Sequence, residues 1–463
     1  MKRPLLVGII VAAVAVGMAL AWNTASRDRQ YRGLIGAGDA AVASGQTLLA
    51  IESFSGAIAL KPESMLGYLK RGETYRHHGD LSAALRDLRK ASVLDRTATR
   101  PLEQLGDVYF AQGHFARAAD RYQAYLRIDD RSPRLLYKLA LAVYAHGNAA
   151  SAIAPLRQAV HLNDRFAEGY YMLGVCLRAA AERPEALWAL QRAVRLAPGL
   201  TPARETLAEV LNDLNRQSER IEQLEALVAL EPDAIERYLT LATARADAGR
   251  ISTAALVLGR AAERHPDDTR VYTALATLWL RIAETQGDPG AVAKALDATR
   301  TVMTQGNPTG ADLLLYGRAV LLSGDTEAAL PVLRQAAAHQ PVDPGAYEAL
   351  AAAAERASLL PEAKDALERL VTLARDEAAE STLAARIAGL ALRLHDPAEA
   401  VRWLERAVLA APYDTTLLPR LAEAELAEGS PERARETVQR AAAAGVYSPL
   451  LQEVSLQLDK RRR

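Results

Sequence analysis

The sequence predicts an all-α protein, a right-handed superhelical solenoid of about twelve helix–turn–helix hairpins preceded by one N-terminal transmembrane helix. Three observations carry that expectation. Alanine is abundant and β-branched residues are few, which favours helices over strands. A small residue returns at steps of 34 from residue 38 almost to the end. Before that register begins, the chain carries a long uncharged run.

The amino terminus, "MKRPLLVGIIVAAVAVGMALAWNTASRDR", has Lys2 and Arg3 and then no charge from Pro4 to Trp22. Nineteen residues in a helix rise roughly 28 Å, enough to cross a hydrocarbon core. Trp22 falls where an interfacial aromatic would sit. Ala19-Leu20-Ala21 resembles a signal-peptide processing site, but the apolar run is long for a signal peptide, so a retained anchor is the expectation. Residues 1–30 therefore read as a membrane anchor with a short linker. The short basic tail favours placing the rest of the chain on the exported side, although Arg27, Arg29 and Arg32 pull the other way.

Residues 31–448 read as the hairpin array. The small column runs Gly38, Gly72, Gly106, Ala140, Gly174, Ala208, Ala242 and Ala276. It slips by seven to Gly317, continues at Ala351, slips by three to Ala388 and ends at Ala422. Small residues let two helices approach at the short end of the usual axis separation. Twelve residues on stands alanine, from Ala50 to Ala434, broken by Arg220, where loose packing is expected. Sixteen residues on stands Leu or an aromatic, such as Phe54, Tyr122 and Leu190, to fill the space beside the close contact. Between the helices of a hairpin a glycine recurs (Gly45, Gly79, Gly113, Gly147, Gly249, Gly324, Gly429), supplying the left-handed backbone that ends the first helix. Proline closes many units: Pro62, Pro198, Pro232, Pro266, Pro341 and Pro412. The seven-residue slip predicts a longer turn around "ETQGDPG" (284–290). In residues 449–463, Leu450, Leu451, Val454 and Leu458 share one helical face, as a capping helix requires, before the basic end "DKRRR".

These residues closely resemble the tetratricopeptide repeat family, best seen in "YYMLGVCL…EALWALQRAVRLAP" (170–198). The resemblance spans nearly everything after residue 30 and implies a stack of hairpins whose first helices line a concave groove. It further implies a non-enzymatic scaffold that binds a protein or peptide partner. By analogy with anchored members, the setting is bacterial envelope assembly, secretion or polysaccharide export, at the inner membrane with the repeats periplasmic. The alternatives are a non-catalytic subunit or regulator of a membrane enzyme complex, or an enzyme with a site between repeats.

Composition and motifs narrow the chemistry. Lys plus Arg equals Asp plus Glu, 56 each, so the chain lacks the positive field that captures phosphate backbones and no nucleic acid is expected. The single cysteine, Cys176, lies two residues after Gly174 in a column of small apolar fillers, and reads as packing rather than as a nucleophile. "GLIGAGDAA" (33–41) has dinucleotide-like glycine spacing without a preceding strand. His77, His78, His114 and His146 flank successive turn glycines, too far apart to share one metal. No catalytic residue, cofactor, metal or small-molecule substrate is expected. For the groove, positions three before and four after the small residue fall on one helical face. Hairpins three to five place there, or one turn away, Phe110, Arg134, Tyr137, Tyr144, Tyr171 and Arg178, residue types that dominate binding energy at interfaces. They form the candidate peptide site, with plain coverage of the inner helix surface as the competing explanation.

Overall fold

The computed structural model describes residues 3–460, with side chains from residue 12 onward; residues 461–463 of the basic end and the side chains of Pro4–Val11 lie outside the described part. Among the described residues there are helices and no strands, in two compact bodies. The N-terminal body (Met1–Leu230) begins with hairpins α1 (Arg3–Ala43)/α2 (Thr47–Leu60) and α3 (Met65–His78)/α4 (Leu81–Leu94). Then come α5 (Thr99–Ala111)/α6 (Phe115–Leu126) and α7 (Pro133–Ala145)/α8 (Ala149–Leu162). It closes with α9 (Ala167–Ala179)/α10 (Arg183–Leu196) and α11 (Thr201–Asp213)/α12 (Gln217–Leu230).

The C-terminal body (Glu231–Arg463) starts with α13 (Ile235–Asp247)/α14 (Ile251–Arg264) and α15 (Thr269–Gln286)/α16 (Pro289–Gln305). It continues with α17 (Gly310–Leu322)/α18 (Thr326–Ala338) and α19 (Pro344–Arg356)/α20 (Leu360–Val371). Next are α21 (Glu377–Arg393)/α22 (Pro397–Ala410) and α23 (Leu417–Glu428)/α24 (Pro431–Ala443), then the single helix α25 (Pro449–Lys460).

Each turn is set by one left-handed residue. The seven predicted turn glycines all have φ between 73° and 94°. Where the hairpin lacks glycine, Ala181, Asn215, Ser358 and His395 take the same slot with φ of 55–62°. The amide that follows reaches back five residues, as in Asp80 N–H to the Tyr75 carbonyl and Asp396 N–H to Ala391, so the orphan carbonyls of the first helix are satisfied.

The seven-residue slip is not a longer turn. The turn at Gly287 stays tight (φ 65°), and the extra residues lengthen the helices instead: α15 has 18 residues and α16 has 17, against 12–14 in most others. Whole added turns keep the apolar stripe on its face, so the register survives.

The small column is a set of contacts. An added Cβ would stand 2.3 Å from the Phe54 ring at Gly38, 2.3 Å from Tyr122 at Gly106 and 2.5 Å from Leu190 at Gly174. The alanine column from Ala50 to Ala434 is wholly inaccessible to solvent outside the break. Arg220 at the break is half-buried and bonds Gln217 (3.3 Å), while its neighbour Ile221 takes the core position. Burying one Leu of the companion column stabilises by roughly 1.5–3 kcal/mol, repeated hairpin after hairpin. Helix α25 lays Leu451, Val454 and Leu458 against Leu418, Ala422 and Leu426, capping the end of the core.

At the other end, α1 runs unbroken for 41 residues, so the linker expected before residue 30 is helical. Among the described residues no helix is long and apolar enough to cross a membrane; the transmembrane helix expected over residues 4–22 is not found there. What is described of that run stands clear of the repeats: Val14, Val16, Met18, Leu20 and Trp22 are all exposed. Beyond it, α1 is pinned to the end of α2 and the turn between α2 and α3. Arg27 donates to the Leu60 carbonyl (2.8 Å), Asp28 pairs with Lys61, and the Tyr31 and Ser64 hydroxyls share a bond of 2.7 Å.

Candidate functional site

Successive first helices touch one another as well as their hairpin partners: α3 with α5, α7 with α9, α9 with α11, and in the other body α13, α15, α17 and α19 in turn. They make the inner face of each body. Along it runs an interrupted ladder of opposite charges, linking α1 to α3, α3 to α5, α5 to α7 and α9 to α11 in one body, and α13 to α15, α15 to α17 and α19 to α21 in the other. Lys70 meets Asp39 (2.7 Å), Arg100 meets Glu73 (2.6 Å), Arg134 meets Glu103 (2.7 Å) and Arg178 meets Glu209. In the C-terminal body Arg270 pairs with Glu236, Arg318 with Glu284, and Arg386 with Glu355. Four of these pairs are 31 apart in sequence, an offset from the repeat length that places the two partners at different positions of their helices.

The ladder is deepest at α5 and α7. Lys138 Nζ bonds Glu103 (2.7 Å) and Asp107 (2.8 Å), and the Tyr122 hydroxyl donates to Asp107 (2.8 Å). Glu103 is buried, and Asp107 and Lys138 are largely so. Burial first, then the neighbouring Asp107 carboxylate, pushes the Tyr122 phenol far above its ordinary range. This network is fully paired, and it rigidifies the floor of the inner face.

The six predicted site residues divide against that frame. Tyr144 and Arg178 are exposed on α7 and α9. Arg134 is exposed too, yet its guanidinium is held by Glu103, as that of Arg178 is by Glu209. Phe110 is half-buried and packs edge-on against Phe115 of its own hairpin, with centroids 5.2 Å apart. Tyr137 makes the same contact with Phe166, at the start of the next hairpin (5.2 Å). Burial, then Glu168 and Tyr171, raises the Tyr137 phenol. Tyr171 is half-buried beside the same core. Two of the three tyrosines thus cover the interior between hairpins.

Two inner-face cavities in the C-terminal body went unpredicted. One, of about 380 Å³, is lined by Glu355, Arg386, Gly389, Arg393, Arg420 and Glu423 with Leu450 of the cap. The other, of about 350 Å³, lies over α15, α17 and α19 and includes Glu284, Arg318, Glu348 and Arg356. The sequence signal for them was the repeated Arg on late first helices, which a search restricted to two positions per helix passes over.

Cys176 is buried among Leu173, Leu177 and Leu190, and burial pushes its thiol up to about 11, so it is a packing residue. The four turn histidines are exposed. Among the described residues no group of His, Cys, Asp and Glu has the arrangement to hold a metal.

Residues 35–98, 103–165 and 137–201 match the family model described as tetratricopeptide repeat. No curated protein matches the chain. Among solved structures, YrrB, a TPR protein with an unusual peptide-binding site, is 24% identical, covering 41% of this chain and 97% of its own, with a TM-score of 0.37. Pseudomonas aeruginosa PilF is 17% identical over 46% of this chain and 96% of its own (TM-score 0.39). The Cut9–Hcn1 hetero-tetramer of the APC/C is 15% identical over 92% and 96% (TM-score 0.36).

Proposed function

This chain belongs to the tetratricopeptide repeat family, and from that premise we propose that it is a non-enzymatic, membrane-anchored scaffold holding a segment of a partner protein along the inner face of its first helices. The observation that carries the reading is the inner face itself, a run of touching first helices braced by cross-repeat ion pairs. A surface held rigid before binding loses little conformational freedom when a peptide lies on it. The lone thiol is buried and its pKa raised, which favours a scaffold over a nucleophilic enzyme.

In the N-terminal body the partner segment lies across α7 and α9. Tyr144 and Arg178 meet it directly, Arg134 borders it, and Phe110, Tyr137 and Tyr171 form the packed floor beneath. The setting is the bacterial inner membrane, with the exposed apolar start of α1 in the bilayer and the repeats on the exported side, in envelope assembly or export.

The test uses the two exposed residues, because truncating Tyr137 would also remove its contact with Phe166. Tyr144→Ala with Arg178→Ala is expected to weaken capture of the partner by about 2 kcal/mol, with the melting curve nearly unchanged. The partner is first recovered by purification from detergent-solubilised membranes and mass spectrometry. Unaltered binding by the double variant rules out this face.

A further inference from the structure

At the far end of the C-terminal body, the second helices α22 and α24 flank a groove over α23 that breaks the repeat's own rule. The position three residues after the small column is apolar or aromatic in most hairpins: Leu177, Leu211, Val320, Ala354 and Ala391 are buried there, and Tyr75, Val143 and Trp279 half-buried. Its other charged occupant, Arg245, is half-exposed and donates to the Thr253 carbonyl (3.0 Å). In the last hairpin the position holds Glu425, which is 3% exposed. Its Oε2 is buried and has no hydrogen-bond partner among the described residues. An orphaned buried carboxylate oxygen is destabilising, so the residue is a poor choice for packing.

Glu425 lines a cavity of about 470 Å³. One side is apolar, from Val408, Leu409, Pro412 and Leu421. The other side carries Arg433 and Arg440 against Glu405, Glu425 and Glu436, one cation fewer than the carboxylates. The Arg433 guanidinium pairs with Glu405, Glu425 (3.6 Å) and Glu428 (3.7 Å), and neither Glu425 Oε2 nor Glu428 Oε2, both buried, has a hydrogen-bond partner among the described residues. Leu409, on the wall, is 80% exposed, and Tyr413, next to the lining Pro412, is 97% exposed. The same groove recurs between α8 and α10, at about 400 Å³, with the charge pair reversed as Arg157–Glu185 and Leu177 in the place of Glu425. The groove therefore belongs to the fold, and the buried carboxylate belongs to this hairpin.

We propose that this groove is a second docking site, on the face made by the second helices, which seats an arginine or lysine side chain of a partner protein with its aliphatic stem along Val408, Leu409 and Pro412 and its cationic head on Glu425. A cation there satisfies the orphaned oxygen with a charge-assisted hydrogen bond and balances the one carboxylate that Arg433 and Arg440 leave in excess in the lining. Burial raises the Glu425 carboxyl, against the opposing effects of Thr437 and Arg433, and a seated cation draws it back down. The site lies off the inner face, so its fate is separate from that of the partner groove proposed above.

The experiment uses the full chain and two small probes, acetyl-arginine amide and acetyl-norleucine amide, followed by ligand-observed NMR. The native protein is expected to bind the arginine probe about tenfold more tightly than the norleucine probe. Glu425→Leu, which restores the residue used elsewhere in the column, should abolish that preference while leaving the melting midpoint equal or higher. Glu425→Gln keeps the size and should lose the preference too. Equal binding of the two probes by the native chain overturns the proposal, as does a preference that survives both substitutions. A preference seen only after removal of Arg461–Arg463 would make the chain's own basic end the occupant and overturn the partner reading.

Discussion

An added Cβ at Gly174 would stand 2.5 Å from Leu190 Cγ, while one at Gly36, in the same class of first helix, would meet nothing within 4 Å. The same substitution therefore has opposite signs at the two positions. Gly174→Ala is expected to destabilise by about 1–3 kcal/mol through overpacking. Gly36→Ala is expected to stabilise by about 0.5–1 kcal/mol through lost backbone freedom in the unfolded chain. Urea denaturation of the two variants beside the native protein checks both. The column at 34-residue steps made Gly174 legible from sequence as a packing position. Cys176 was legible for the same reason, since a slot that accepts Ala, Val or Leu elsewhere asks only for a small apolar volume. What a column cannot reveal is a departure that packs: Glu425 is one letter in a string until its burial and its unpartnered oxygen are seen.

Between elements, the hairpins are held by two kinds of contact. Apolar columns close each hairpin, and ion pairs tie many of the first helices to the next. Lys138 on α7 is the busiest rung, bonding both Glu103 and Asp107 on α5. Replacing it with Met leaves two largely buried carboxylates without their cation, so Lys138→Met is expected to destabilise by about 3 kcal/mol. Adding Glu103→Gln and Asp107→Asn should recover a large part of that loss, and a cycle of melting curves reads the coupling. If Lys138→Met alone leaves the curve unmoved, the ladder is a surface decoration. The ladder was visible in the sequence as acid and base 31 apart, as in Asp39–Lys70, Glu103–Arg134 and Asp107–Lys138. Reading it means pairing different positions of adjacent repeats, which a comparison of equivalent positions passes over. That omission assigned Arg134 and Arg178 to the groove with no account of their partners.

For the whole molecule, the continuity of α1 sets the expectation. A helix unbroken from Arg3 to Ala43, fixed by Arg27, Asp28 and Tyr31 to the end of α2 and the turn that follows it, joins the apolar run to the first hairpin without a flexible linker. If residues 4–22 anchor the protein, the chain stays in the membrane pellet after alkaline carbonate extraction. Protease added to intact spheroplasts then degrades the repeats. Release by carbonate removes the anchor from the account, and full protection from protease reverses its orientation. Two added Arg residues in the apolar run, at Val14 and Leu20, should shift the protein to the soluble fraction while leaving its helicity intact.

By itself the sequence determined the hairpin, its turn and its packing columns, because these depend on residues close in the chain and repeat often enough to be counted. It also carried the amphipathic pattern of α25, whose apolar stripe is local. Tertiary structure decided the rest. It put the seven extra residues at 284–290 into longer helices, since a full turn preserves the buried stripe where a loop would leave backbone groups to be solvated. It turned Tyr137 inward onto Phe166, gave Arg134 and Arg178 carboxylate partners on neighbouring helices, and set Glu425 in a groove built by three helices. Each of those outcomes depends on which side chains of adjacent repeats meet, and a repeat written as one averaged unit does not carry that information.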